Sequence, residues 1–219
     1  MSGTSREAAL GRVRAALERT AVRAEERCEW EAARLVGAEG LLERFRTMAV
    51  DAGMVVHEAG DAAQAGRVVA GIVRQVEAER VLMDRAEFVA RGEVLVALAE
   101  AGVAAMMGDV GDEELFSAEV GIAGARWGIA ETGSVVLAGG PDVRRLISLV
   151  PPCHIVVLEE GQILPDLLDW AKKEGGGESG GWRYQVLISG PSKTGDIELV
   201  LVTGVHGPGH LWVGLLSDL

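Results

Sequence analysis

The chain predicts an α/β domain with a parallel-rich central sheet, preceded by N-terminal helices. Three observations carry this expectation. From Gly53 onward, short β-prone runs alternate with helical stretches, the pattern of parallel strands joined by helical crossovers. Ahead of them, two segments repeat apolar residues at helical spacing. A length of 219 residues, 48% of them hydrophobic, supplies one substantial core and leaves little room for two compact domains. The expected organisation is an N-terminal helical extension over residues 1–50, packing on an α/β domain over residues 51–219.

Leu10, Val13 and Leu17 mark the first helix, near residues 5–20, and Leu41, Leu42, Phe45, Met48 and Ala49 mark the second. Between them, the stretch from Cys28 through Trp30 to Leu35 reads equally as helix or as connection. Residues 54–57 form the first strand. Ala65, Val68, Val69, Ile72, Val73 and Val76 then share one helical face, and residues 81–83 form the next strand. Leu95, Leu98 and Ala99 mark a helix ended by Gly102, and residues 103–107 a third strand closed by Gly108 and Asp109. Apolar runs at 134–137, 155–158, 185–188, 198–202 and 211–216 read mostly as strands, with helical crossovers at 143–149 and 164–173. The glycine-rich residues 174–181 read as a flexible linker and lack the strand-to-helix setting of a dinucleotide fingerprint.

With 33 acidic against 21 basic side chains the formal charge is −12, which repels a phosphate backbone and an anionic membrane surface, so neither nucleic acid nor membrane is an expected partner. A small anionic ligand remains compatible, because backbone N–H groups and one or two cations can reverse the potential inside a cleft. Cys28 and Cys153 stand far apart with no CxxC spacing, which gives no disulfide framework, iron–sulfur site or structural zinc site and points to a reducing, cytoplasmic compartment. Arg6 and Glu7 fall where a secretory signal would place its apolar core. The most apolar window, residues 94–107, is broken by Glu100 and is shorter than the roughly 20 residues that cross a bilayer. No resident cofactor and no metal are expected.

Three polar turns interrupt apolar flanks. The segment Ser189-Gly190-Pro191-Ser192-Lys193-Thr194-Gly195-Asp196 follows the run ending at Ile188, so a strand opens into a loop, where ligands of open α/β sheets usually bind. Its hydroxyls, mobile backbone N–H groups and ammonium suit a phosphate or carboxylate. It is no P-loop, because Ser192 precedes Lys193-Thr194 and Leu187 stands where the first glycine is required. Lys193 is one of only three lysines, and a solvated turn capped by Asp196 is the alternative reading. In the second turn, Glu131-Thr132-Gly133, Glu131 is a candidate base or nucleophile, or equally a carboxylate bonded to nearby backbone N–H groups. In the third, His206 and His210 have metal-like spacing, but Gly207-Pro208-Gly209 forbids the helix that would align them, which leaves His206 as a proton donor or ligand contact. Cys153 and His154 are adjacent on a strand and point to opposite faces, so no thiol-imidazole dyad is expected. His57 and Asp109 sit at predicted strand ends without an assigned role.

The order of motifs from Gly128-Ile-Ala-Glu-Thr-Gly-Ser134, through Arg145 to Val157 with Pro151-Pro152-Cys153-His154, to Ser189-Gly-Pro-Ser-Lys-Thr-Gly-Asp196 and Gly204-Val-His-Gly-Pro-Gly209, resembles the LUD family from about Gly121 onward. The resemblance implies a three-layer fold similar to the sugar-phosphate isomerases and coenzyme A transferases, the NagB/RpiA/CoA transferase-like fold. It also implies a role in oxidising L-lactate to pyruvate beside partner subunits that carry iron–sulfur clusters. Lys193 replaces a common arginine and Gly195 a common alanine, which keeps the charge and loosens the turn. On matching motif positions, Glu131 and His206 become the candidate catalytic residues, and Thr132, Gly133, Ser189, Gly190, Ser192, Lys193, Thr194, Asp196 and Gly207 the candidate substrate-binding set.

Two readings follow from this. In the first, the chain is a non-cluster subunit of a lactate-oxidising system that contributes a small-anion site or an assembly surface and has no redox activity of its own. In the second, it is an autonomous transferase or isomerase with Glu131 as base or nucleophile and the 189–198 loop on a phosphate or coenzyme A pyrophosphate. A homo-oligomer is compatible with both.

Overall fold

The computed structural model describes residues 3–19, 37, 39–84, 88–107, 110–139, 145–175, 184–195 and 202–217. Cys28, Trp30, Asp109, Val143, Asp196, Glu198 and most of the glycine-rich run lie outside the described residues. The chain divides into Met1–Ala33 and Arg34–Leu219. The first unit contains helix α1, Gly3–Arg19.

The larger unit opens with α2, Leu41–Asp51, whose Phe45 and Ala49 are buried. Strand β1, Val55–Ala59, follows. Helix α3, Ala62–Gln75, is started by Asp61, whose carboxylate accepts from the Gln64 N–H at 2.6 Å. Then come β2, Val81–Met83, α4, Arg91–Glu100, β3, Ala105–Met107, and α5, Asp112–Ser117. Strands β4, Val120–Gly124, β5, Trp127–Ile129, and β6, Ser134–Gly139, lead to a 3₁₀ turn at Arg145–Ser148. The chain continues through β7, Cys153–Glu159, β8, Ile163–Leu164, α6, Leu167–Gly175, and β9, Tyr184–Ile188. It closes with β10, Lys193–Thr194, β11, Val202–Thr203, and β12, His210–Leu216.

Six strands form the central sheet in the order β1-β12-β7-β4-β2-β3, every pair parallel. Its inner strands are apolar on both faces, as a sheet covered on both sides requires. On one face α3 and α4 bury Val69, Val73, Val94 and Leu98 against Ile155, Val157 and Leu216. Gly66 lets these helices close, because a Cβ there would lie 2.6 Å from the Glu93 carbonyl oxygen. The opposite face packs Val156, Leu158, Val213 and Leu215 against Phe45 of α2 and Val135 and Leu137 of β6. The third layer is therefore α2 with a smaller sheet, β8-β5-β6-β9, in which β6 runs antiparallel to both neighbours.

Several expectations need correction. β4 is a full member of the parallel sheet, although Val120-Gly-Ile-Ala-Gly124 carries too many small residues to read as a strand. Of the helix expected at 143–149, only the 3₁₀ turn at Arg145–Ser148 falls within the described residues. The helix expected from residue 164 begins at Leu167, because Ile163 and Leu164 pair with β5 and Asp166 caps the helix by accepting from the Asp169 N–H. No described helix is long and apolar enough to cross a membrane.

Candidate functional site

The second sheet brings two of the polar turns together. Pairing of Ile129 with Ser134 confines the β5–β6 turn to residues 130–133, and pairing of Val135 with Ile188 places that turn beside the end of β9. A chain of hydroxyls results, in which Thr132 Oγ1 lies 2.7 Å from Ser134 Oγ, itself 2.6 Å from Ser189 Oγ. Gly133 takes φ +64, and a Cβ there would stand 2.1 Å from the Ala49 nitrogen, so the turn lies directly on α2. Glu131 faces the other way. Its N–H donates to the Pro165 carbonyl at 2.9 Å, and its carboxylate accepts from the Leu167 N–H at 3.4 Å, at the positive end of α6.

The segment after β9 is not an open loop at the carboxyl rim of the parallel sheet, as the sequence suggested. β9 belongs to the mixed sheet, and Lys193 and Thr194 form a two-stranded hairpin with Val202 and Thr203. Gly190, at φ +100, passes so close to α2 that a Cβ would lie 2.4 Å from the Ala52 carbonyl oxygen. The Lys193 ammonium donates to that same oxygen at 3.0 Å, where a cation complements the helix C-terminus. Lys193 is thus exposed and tied to α2.

The 204–210 turn docks on the segment that follows β9. The Ser192 N–H donates to the Pro208 carbonyl at 2.9 Å, the Gly204 N–H donates to the Ser192 carbonyl at 2.9 Å, and the Gly209 N–H donates to Pro152 at 3.0 Å. Between these segments opens a cavity of about 240 Å³. Of the residues singled out in the sequence, Ser189, Gly190, Ser192, His206 and Gly207 line it. Thr132 and Gly133 reach it only through Ser134, and Glu131, Lys193 and Thr194 are not in its wall. Its polar wall is completed by Ser148 and His154, and Leu149, Val186 and Leu211 are among its apolar residues. His154 and Leu211 are the second residues of β7 and β12, so the cavity sits at the amino ends of the parallel strands. Ligands in open α/β sheets generally bind at the opposite edge.

His154 is the residue that sequence reasoning passed over. It is 0% exposed, and neither ring nitrogen has a hydrogen-bond partner. Burial holds the imidazole neutral, pushing its pKa down to about 4 against a weaker opposing influence from the Gly121 backbone. Cys153 does point to the other face, among the residues under α3 and α4. Burial pushes its thiol up to about 11, only partly offset by the Trp212 indole, so it is a poor nucleophile. The available signal was a polar side chain at the head of the wholly apolar run Ile155-Val-Val-Leu158, where a buried polar group requires a partner. His57 stacks on Trp212 at 5.3 Å within the sheet rather than lining the cavity, and His210 is exposed at the start of β12. Among the described residues, no group of three or more His, Cys, Asp or Glu side chains is placed to hold a metal ion.

With this geometry in hand, comparisons place the chain among known proteins. It is 40% identical over 101 residues to lactate utilization protein C of Deinococcus radiodurans, covering 46% of this chain and 47% of that protein. It is 35% identical over 116 residues to lactate utilization protein C of Bacillus subtilis, covering 50% and 48% respectively. The chain thus spans about half the length of these curated relatives. The crystal structure of a DUF162 family protein from Deinococcus radiodurans matches with a TM-score of 0.59 at 23% identity, over 81% of this chain and 96% of that one, and so shares the fold. The LUD domain model matches residues 42–216, from α2 through the last strand, and on that extent the chain belongs to the LUD domain family.

Proposed function

We propose that the protein is a cytoplasmic, non-cluster subunit of an L-lactate utilisation system, binding a small carboxylate while iron–sulfur partner subunits move the electrons that turn lactate into pyruvate. The observation that carries this reading is the convergence of the 189–192 segment, the 206–208 turn and the start of β7 on one small cavity. Its volume of about 240 Å³ is ample for a three-carbon acid. The names of the relatives point to lactate as the acid.

In this reading the Ser189 and Ser192 hydroxyls, the backbone at Gly190 and Gly207, and His206 at the mouth hold the carboxylate. Thr132 and Gly133 fix Ser189 through Ser134, and Lys193 and Thr194 keep the hairpin seated on α2. The engagement of Glu131 with the start of α6 favours a structural carboxylate over a nucleophile. Calorimetric titration with L-lactate, pyruvate, phosphate and coenzyme A tests the reading. Small carboxylates should bind, coenzyme A should not, and Ser192→Ala should weaken binding about three- to tenfold, the worth of one hydrogen bond. Failure of both small acids to bind, or tight coenzyme A binding, would favour the transferase or isomerase reading instead.

A further inference from the structure

The cavity wall holds a buried group with nothing to bond to. His154 has both ring nitrogens unpartnered and buried, an arrangement that is costly in a finished core and ordinary in a binding site awaiting its ligand. The neighbouring strand is shaped around this ring. Gly121, paired with His154 across β4 and β7, leaves a gap where a Cβ would stand 3.1 Å from Nδ1 and 2.2 Å from the Ile147 carbonyl oxygen. Nδ1 therefore lies beside Gly121 of the neighbouring strand, whose backbone acts against the effect of burial on the ring. A neutral imidazole carries one proton, and with it on Nδ1 the other nitrogen, Nε2, is a bare acceptor. Among the described residues lining the cavity there is no carboxylate, lysine or arginine, and their polar atoms are hydroxyls, backbone groups and two imidazoles.

We propose that His154 Nε2 accepts a hydrogen bond from the 2-hydroxyl of a small 2-hydroxy acid, so that the cavity selects the hydroxy acid over the 2-keto acid of the same skeleton. This inference rests on the proposed small-carboxylate site and adds its selectivity. The carboxylate lies among Ser189, Ser192 and His206, the carbon skeleton against Leu149 and Leu211, and the hydroxyl points at the imidazole. A keto oxygen presented to the same nitrogen has no proton to donate and leaves Nε2 unsatisfied, and sites that bond a ligand hydroxyl discriminate against analogues lacking it. Doubly charged inorganic phosphate meets no fixed cation among the described residues of this wall and is a poorer fit.

The experiment titrates the full chain with L-lactate, pyruvate and inorganic phosphate, following affinity by calorimetry and the His154 ring nitrogens by ¹⁵N NMR. Wild type should bind L-lactate about tenfold more tightly than pyruvate, and the Nε2 resonance should shift with lactate far more than with pyruvate. His154→Leu, which keeps the volume and removes the acceptor, should bring the two acids within about twofold of each other by losing lactate affinity alone. His154→Gln, which retains an acceptor oxygen, should restore part of the preference. Should His154→Leu fail to fold, the wild-type nitrogen shifts and the His154→Gln ratio still decide the matter. Binding of both acids with an unmoved Nε2 resonance, or a lactate preference that survives in His154→Leu, would overturn the selectivity and leave the small-carboxylate site standing. Absence of binding by either acid would overturn both.

Discussion

His154 carries a cost that can be measured without any ligand. In the unfolded chain its imidazole takes a proton near 6.5, and in the folded chain only near 4, because burial disfavours the cation. Below 6.5 the unfolded state binds more protons, so stability falls as the pH drops from 6.5 toward 4 and is fully restored above 6.5. The gap corresponds to about 3 kcal/mol when complete. Urea unfolding at pH 7.5 and pH 4.5 should therefore show a smaller acid loss in His154→Leu than in wild type. Equal losses would mean that the ring is solvated or paired when folded. The same residue marks what sequence could not resolve. Alternation along a strand correctly separates Cys153 from His154, but it does not tell which of the two faces a cavity, since that depends on Gly121, thirty-three positions away in the chain and adjacent only in the sheet. Ser189 and His206 were legible because turn chemistry betrays them locally, whereas the turning of Lys193 toward Ala52 depends on a contact spanning 141 positions.

Secondary structure was legible wherever periodicity and bulk agree. The faces of α2 and α3, the runs of β2 and β7, and the last strand all follow from apolar spacing. It failed where packing required small residues, as in β4, and where a run of strand-formers became part of a second, mixed sheet. The β5–β6 turn shows how such elements are locked. Gly133 combines a left-handed backbone with a position against the Met48–Ala49 peptide, so an alanine is excluded by conformation and by space. Gly133→Ala should cost about 2–4 kcal/mol in denaturant unfolding, because strain and overpacking coincide. It should also disturb the Thr132-Ser134-Ser189 hydroxyl chain, lowering ligand affinity in whatever fraction still folds. A near-neutral effect on stability would show that the turn can lift away from α2 freely.

Taken as a whole, the domain is a parallel sheet held between a helical layer and a layer of mixed composition, and the sequence predicted its class through the βα alternation of its first half. The strand order was not legible, because the sheet joins residues from distant parts of the chain. β12 lies between β1 and β7, with Val55 opposite Trp212 and Trp212 opposite Ile155. A chain growing from its N-terminus must therefore carry β1 and β7 with bare edges until residues 210–216 have left the ribosome. Such edges are templates for pairing with other chains, and sheets that await distant partners close slowly. Nascent chains ending at residue 209 should be insoluble or chaperone-bound, and chains extended past residue 216 should become protease-resistant in a single step. Stepwise protection as β2, β4 and β7 emerge would show instead that the sheet can build without its middle strand. The seam at β12 makes closure of the whole sheet wait for its last strand, and it places the heaviest demand on the cell's folding machinery in the interval before residues 210–216 emerge.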